Sequence, residues 1–323
     1  MSYRVHQLAW KQLPDMPVGK WEPASLVRDD KLYVLGGYAN YVVSSRRQDV
    51  FDPLERSWTR LQDCPSTISH VNLVPDLSGF WYAGGMKDKP SKGIKDHIIS
   101  EVWHYDLGND RFSAAPLLPE PRAAGAMQRI ENKLHYISGL MVDRDTDSPD
   151  HFVFDLDEWI KSGSGKWTKA APLKVPRNQH SIATLGEKIY VIGGQFNHDS
   201  QQLDQERVDI YDPLSDSWTE GPPLPVAHSH SEHATFVHNQ RIWMLGGHST
   251  PSGGKKGFCQ NIVTLAEGGE WEITGHLPKP ISSPAAGVIG KKLYVAGGWD
   301  GRMDEDKNWL SSPEVWVCEV EGL

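Results

Sequence analysis

The sequence is short of almost everything that would announce a reaction. Its 323 residues include three cysteines, Cys64, Cys259 and Cys318. They are few, odd in number and far apart, so no disulfide framework is expected and a reduced compartment is the simple reading. No apolar run reaches the roughly 18 residues of a membrane-spanning helix, so no membrane partner is expected. The opening residues, Met1 to Gln7, lack the apolar core of a signal peptide. A cytoplasmic protein is therefore expected, with a secreted form whose leader has been removed left open. Basic residues are outnumbered, 33 against 42, for a net charge of −9. Phosphate recognition needs a basic footprint, which argues against nucleic acid. There is no Walker loop, dinucleotide fingerprint, Gly-x-Ser-x-Gly elbow or His-Glu-x-x-His pair. Cys259, after the glycine- and lysine-rich stretch 253–257, is an exposed thiol or, more simply, a bystander.

What the sequence does have is repetition. Gly36-Gly37, Gly84-Gly85, Gly193-Gly194, Gly246-Gly247 and Gly297-Gly298 each end an apolar run, and Ser138-Gly139 fills the gap in the series. A period near fifty residues is a mark of propeller-type repeats. Each pair follows a β-branched and aromatic run such as Lys188-Ile189-Tyr190-Val191-Ile192, with a short run before it. A loop and a third run follow each pair, such as Val208-Asp209-Ile210-Tyr211-Asp212. A fourth strand is marked by Trp58, Phe112, Trp167, Trp218 and Trp271. After the last third strand no room remains for a fourth, but Trp10 and Pro17 repeat the outer-strand spacing at the other end. Residues 7–13 are thus expected to supply the outer strand of the sixth blade and close the ring. The tryptophans read as packing groups between stacked sheets.

This pattern resembles kelch repeats, six of them over the whole chain. The fold expected is all-β, a six-bladed β-propeller with four-stranded blades, formed by residues 1–323 as a single domain and monomeric. The resemblance implies a stand-alone, bacterial-type kelch propeller, distantly like sugar mutarotases and sialic-acid epimerases. The sites of the metal-bound relatives do not carry over. The specifier proteins' Glu-x-x-x-Asp-x-x-x-His motif is missing, and the copper oxidases' tyrosine and histidine set cannot be placed.

Function in such a fold is expected at the mouth of the central channel, where the long loops between second and third strands gather. Counting back from each glycine pair aligns equivalent positions. Sixteen residues before lie Lys20, Ile68, Arg122, Arg177, His230 and Ile281; fourteen before, Glu22, His70, Ala124, Gln179, Glu232 and Ser283. Thirteen before, His180 aligns with His233. Just after the pair come Tyr38, Met86, Leu140, Gln195, His248 and Trp299. Arg122 and Arg177, joined by Lys20, would offer an acidic protein a cationic ring for a carboxylate. The segment His228-Ser229-His230-Ser231-Glu232-His233 crowds three histidines into six residues. His228, His230 and His233 would be the ligands of a divalent metal, although no cofactor is expected. His180, His233 and Glu232 would be the acid–base set of an enzyme.

Two functions follow. The first is a binding propeller that holds a protein partner or a small carbohydrate or carboxylate ligand with Arg122, Arg177, His230, Tyr38, Gln195, His248 and Trp299. The alternative is a carbohydrate-active enzyme, epimerase- or mutarotase-like and metal-assisted or not, using a His/Arg/Glu site at the channel mouth.

Overall fold

The computed structural model describes residues 5–88, 97–198, 202–250 and 257–320. Six four-stranded antiparallel sheets form the blades. In five of them the four strands follow one another in chain order from inner to outer, each pairing antiparallel with the next. Blade one is built from Ala24–Arg28, Lys31–Leu35, Gln48–Asp52 and Ser57–Arg60. Blade three is Ala126–Ile130, Lys133–Ile137, His151–Asp155 and Trp167–Lys169. Blade four is Ser181–Leu185, Lys188–Ile192, Val208–Asp212 and Ser217–Glu220. In blade six, Lys11–Leu13 pairs antiparallel with Val315–Glu319, so a strand from the start of the chain completes the last sheet. That closure removes the edge an open ring would leave.

The glycine pairs are where neighbouring blades touch. The amide of each second glycine donates to a carbonyl of the next blade: Gly37 to Ile68, Gly85 to Arg122, Gly194 to His228, Gly247 to Ile281 and Gly298 to Lys20, at 2.6–2.9 Å. A Cβ on Gly84 would stand 2.4 Å from the Arg122 carbonyl oxygen, and φ there is +66°. Only glycine meets both demands without strain. Blade three has Ser138 in this place, also left-handed at φ 60°. Its seam is wider: Gly139 N to Arg177 O is 3.3 Å, and the Ser138 hydroxyl, with one proton to give, lies 2.8 Å from both Arg177 O and Ser148 O.

The tryptophans fasten the outer strands. Trp167, Trp218, Trp271 and Trp10 each donate their indole N–H to a carbonyl of the preceding blade, at Pro116, Ala171, Pro222 and His276. Each thus buries a flat apolar face and satisfies its one donor. Cys259 is buried, not exposed, and burial pushes its thiol up to about 12. A helix at Leu156–Ser162 joins the last two strands of blade three, capped by Asp155 and ended by Gly163 in a left-handed turn.

Candidate functional site

Six left-handed residues encircle the channel at its loop end: Glu22, His70, Ala124, Gln179, His230 and Ser283, with φ between 46° and 58°. Each sits just before an inner strand. Backbone bonds link them blade to blade: Ala124 N to His70 O, Gln179 N to Ala124 O, His230 N to Gln179 O and Glu22 N to Ser283 O, at 2.8–3.3 Å.

This ring corrects the fixed-spacing alignment in blade five. His230, not Glu232, occupies the ring position, and His228 is the residue that accepts from the glycine amide of blade four. His230 lies sixteen residues before Gly246, whereas Gln179 lies fourteen before Gly193. Blade five has therefore gained two residues between ring and strand. They appear as a 3₁₀ turn over Glu232–Ala234. His180 consequently matches Ser231, and His233 has no counterpart in the other blades.

The cations do not form an open anion cradle. The Arg177 guanidinium is buried, 2.7 Å from Asp209 Oδ2, and its other N–H groups reach the carbonyls of Gly193, Val175 and Val191. Arg122 lies 2.6 Å from Asp150 and 2.8 Å from Glu120. Lys20 donates to Arg47 O at 2.5 Å, and burial draws its ammonium down to about 8. Desolvation drives these cations to spend donors on local acids and strand-end carbonyls, although Arg122 Nε is buried with no partner among the described residues. Equivalent positions did make a ring, but one that faces into the sheets.

The histidine crowd diverges in the same way. His228 Nε2 is 2.7 Å from Gly246 O. His230 Nδ1 is 2.6 Å from Ser229 Oγ, and its Nε2 is 3.8 Å from Glu22 Oε1. His233 stands apart on the inserted turn. Among the described residues no group of three or more His, Cys, Asp or Glu side chains has metal-binding geometry. His180 lies within reach of Ser181 O and Ile137 O, of which its one N–H can donate to either, and burial lowers its pKa to about 4.

Glu232 and His233 are a different matter. Their nearest carboxylate and imidazole atoms are 4.0 Å apart, and neither Glu232 oxygen nor either His233 ring nitrogen has a hydrogen-bond partner among the described residues. Burial raises the Glu232 carboxyl to about 8 and lowers the His233 imidazole to about 3, so both are neutral at pH 7. The inserted turn is tied to the channel wall, where Ser25 Oγ donates to His233 O and Thr235 Oγ1 donates to Ser231 O. Below it, the inner strands enclose a channel of about 370 Å³ lined by Ser25, Gln128, Thr184, Thr235 and their apolar neighbours.

On the loop side, Glu22 Oε2 is 3.3 Å from His70 Nε2, so Glu22 lies between two ring histidines. Both residues were in the alignment, but nothing in their spacing said that they would meet. Tyr38, Gln195, His248 and Trp299, just past the glycine pairs, are all buried. Gln195 bonds Asn178, the His248 ring lies 4.0 Å from that of His230 and tilted to it, and Trp299 stacks 4.3 Å from Trp309. Together with Trp21 and Tyr38 the last two form an aromatic cluster between blades one and six. Above it the loop surface turns apolar. Tyr41, Val43 and Met303 are 56 %, 53 % and 47 % exposed. Tyr41 N bonds Trp309 O, and Met303 bridges to Trp309, which joins the two loops into one patch. Tyr41 and Val42 both hold φ above +50°, a costly state for a β-branched residue.

Comparison with known proteins agrees with this architecture. The Kelch motif family matches residues 22–65, 176–225 and 280–321. A kelch repeat-containing protein of Arabidopsis thaliana is 24 % identical over 98 % of this chain and 77 % of its own length. Kelch repeat and BTB domain-containing protein 12 of Homo sapiens is 27 % identical over 67 % of this chain, but only 35 % of its own length. The chain thus spans about a third of that relative. The solved structure of YjhT superposes with a TM-score of 0.73 at 14 % identity, covering 93 % of this chain and 95 % of that one, a likeness of fold alone.

Proposed function

We propose that this kelch-repeat propeller is a recognition module that holds a protein partner on its loop face, at the junction of blades one and six. The observation that carries this reading is the exposed apolar patch of Tyr41, Val43 and Met303 over a rigid aromatic cluster. An apolar patch on a stiff base is the usual core of a protein interface. The acidic run Asp304-Glu305-Asp306 borders it, so the fitting partner presents an apolar knob with basic neighbours. Arg122, Arg177, Lys20 and His230, expected to bind a small ligand, instead engage neighbouring groups, which favours the loop surface over the channel mouth. The test is retention of a partner from lysate of the source cells on immobilised protein, with Val43→Asp and Met303→Asp as controls. A partner held by the wild type and released by both variants supports the reading. Equal retention by all three would sink it.

The carbohydrate-active alternative keeps one supporting observation, the neutral Glu232–His233 pair above the channel. Saturable stabilisation of the protein by a sugar, lost in Glu232→Gln, would favour it over the recognition module.

A further inference from the structure

Three residues before each glycine pair stands a side chain that packs toward the next blade. In five blades it is a large aromatic: Tyr33, Trp81, Tyr190, Trp243 and Tyr294. Tyr33, for example, meets Phe80 of blade two, and Tyr294 meets Phe51 of blade one. In blade three the residue is His135, which faces Tyr211 of blade four at 5.7 Å. Its neighbour in the sheet is equally unusual. Opposite the residue just before the glycine pair, the third strand carries Val102, Val208, Ile262 and Val315 in four blades and Gln48 in blade one, but His151 in blade three.

The two imidazoles are bonded to each other, with His135 Nδ1 2.9 Å from His151 Nε2. The direction of that bond is set by the far side of His151. Its Nδ1 lies 3.2 Å from the Ala171 carbonyl oxygen, which can only accept. His151 therefore carries its proton on Nδ1, and its bare Nε2 accepts from Nδ1–H of His135. His135 is left with a lone pair on Nε2. Burial holds both rings neutral, their pKa values lowered to about 3 and about 4. No hydrogen bond to His135 Nε2 is formed among the described residues, and His135 lines the open groove between the blades.

An imidazole is smaller than the ring it replaces. A groove of about 600 Å³ runs between blades three and four, lined by His135, Val153, Tyr211 and Leu214 and also by charged side chains such as Lys133 and Glu187. Thr184, also in its wall, has a buried hydroxyl without a partner. Asp216, at the groove's edge, is explained by the repeat. It accepts from Tyr211 Oη and Ala171 N, just as Asp110 accepts from Tyr105 Oη and Gln62 N in blade two. His135 has no such explanation.

We propose that the seam between blades three and four is a binding site for a small aromatic ligand carrying one hydrogen-bond donor, a phenol or an indole. Its ring fills the place that tyrosine or tryptophan takes in the other blades, and its O–H or N–H donates to Nε2 of His135. Apolar space left by a missing ring is regained by a free one. The bare nitrogen selects a donor over a plain hydrocarbon, because a hydrocarbon seated against it would displace water without replacing the hydrogen bond.

The experiment follows the ¹⁵N resonances of His135 while the full chain is titrated with phenol, indole and toluene. The free protein is expected to show an unprotonated Nε2 and a protonated Nδ1. Phenol and indole should bind saturably, move the Nε2 resonance and bind roughly threefold to tenfold tighter than toluene. His135→Tyr, which restores the side chain of blades one, four and six, should abolish binding. His135→Ala keeps the space and removes the acceptor, so it should bind all three compounds alike, and it serves if the tyrosine variant does not fold. A proton on Nε2 in the free protein, no saturable binding, or undiminished binding to His135→Tyr would each overturn the proposal.

Discussion

Blades three and four are neighbours built on one repeat, and they fill it with different chemistry. Blade four is the orderly one. Gly193-Gly194 meets blade five at 2.8 Å, Tyr190 fills the seam, Val208 opens the third strand, and Arg177 is sealed with Asp209. Blade three has Ser138 for the glycine, His135 for the tyrosine and His151 for the valine, and its seam is held at 3.3 Å. Its Arg122 pairs with Asp150, which is 18 % exposed and shared with Lys169. The frame of backbone bonds and left-handed turns survives all of these changes. Side chains in a repeat are therefore free to carry function wherever the frame itself does not need them.

The sharpest way to break the comparison is to remove the acid from each pair. Asp209→Ala leaves Arg177 buried without its carboxylate and should cost about 3–5 kcal/mol. Asp150→Ala, beside solvent, should cost about 1 kcal/mol. Urea unfolding midpoints at unchanged slope would measure both, and equal losses would erase the difference drawn between the blades.

Next comes turning blade three into blade four with His135→Tyr and His151→Val together. Both histidines have lowered folded-state pKa values, so their neutral forms fit the native state. That stability is present above about 6.5 and is lost as pH falls toward about 4 and about 3. The double variant should keep on the order of 2–4 kcal/mol more than the wild type between pH 7 and pH 4. Parallel acid unfolding curves would refute this.

Blade five extends the contrast in the opposite direction of pH. Glu232 has a raised folded-state pKa, so its contribution is present below about 4.5 and is lost as pH rises through about 8. Glu232→Gln cannot ionise and should be more stable than the wild type at pH 9 by on the order of 2 kcal/mol. A variant no more stable than the wild type there would show that the carboxylate is accommodated. The smallest effect belongs to Ser138→Gly. It gives up the hydroxyl's bonds to Arg177 and Ser148 and relieves a left-handed serine, so stability should change by less than about 1 kcal/mol. A larger loss, read from the same urea midpoints, would mean that the serine is what holds the wider seam.

Much of the frame was legible because its causes are local. Gly84 needs its positive φ, and Trp218 recurs with its strand. Trp10 at the start of the chain advertises the strand that blade six lacks. The candidate site was legible only in part. A count of fixed spacing carried Glu232 into the ring and His233 opposite His180, because two inserted residues shift the register without changing the motif that follows. Spacing alone presents Arg122 and Arg177 as ligands, because equivalence around a channel says where a side chain starts, not which way it turns.

The residues alone determined the number of blades, the strand pattern and the closure, since these follow from alternation, turn chemistry and a period of about fifty residues. Only the tertiary structure decided which polar groups meet. Arg177 finds Asp209 across 32 residues, and His70 finds Glu22 across 48. His135 borders a groove made half by another blade. Such pairings depend on how far a side chain is taken from water and on what the next blade places beside it, and neither is written in the spacing of one repeat.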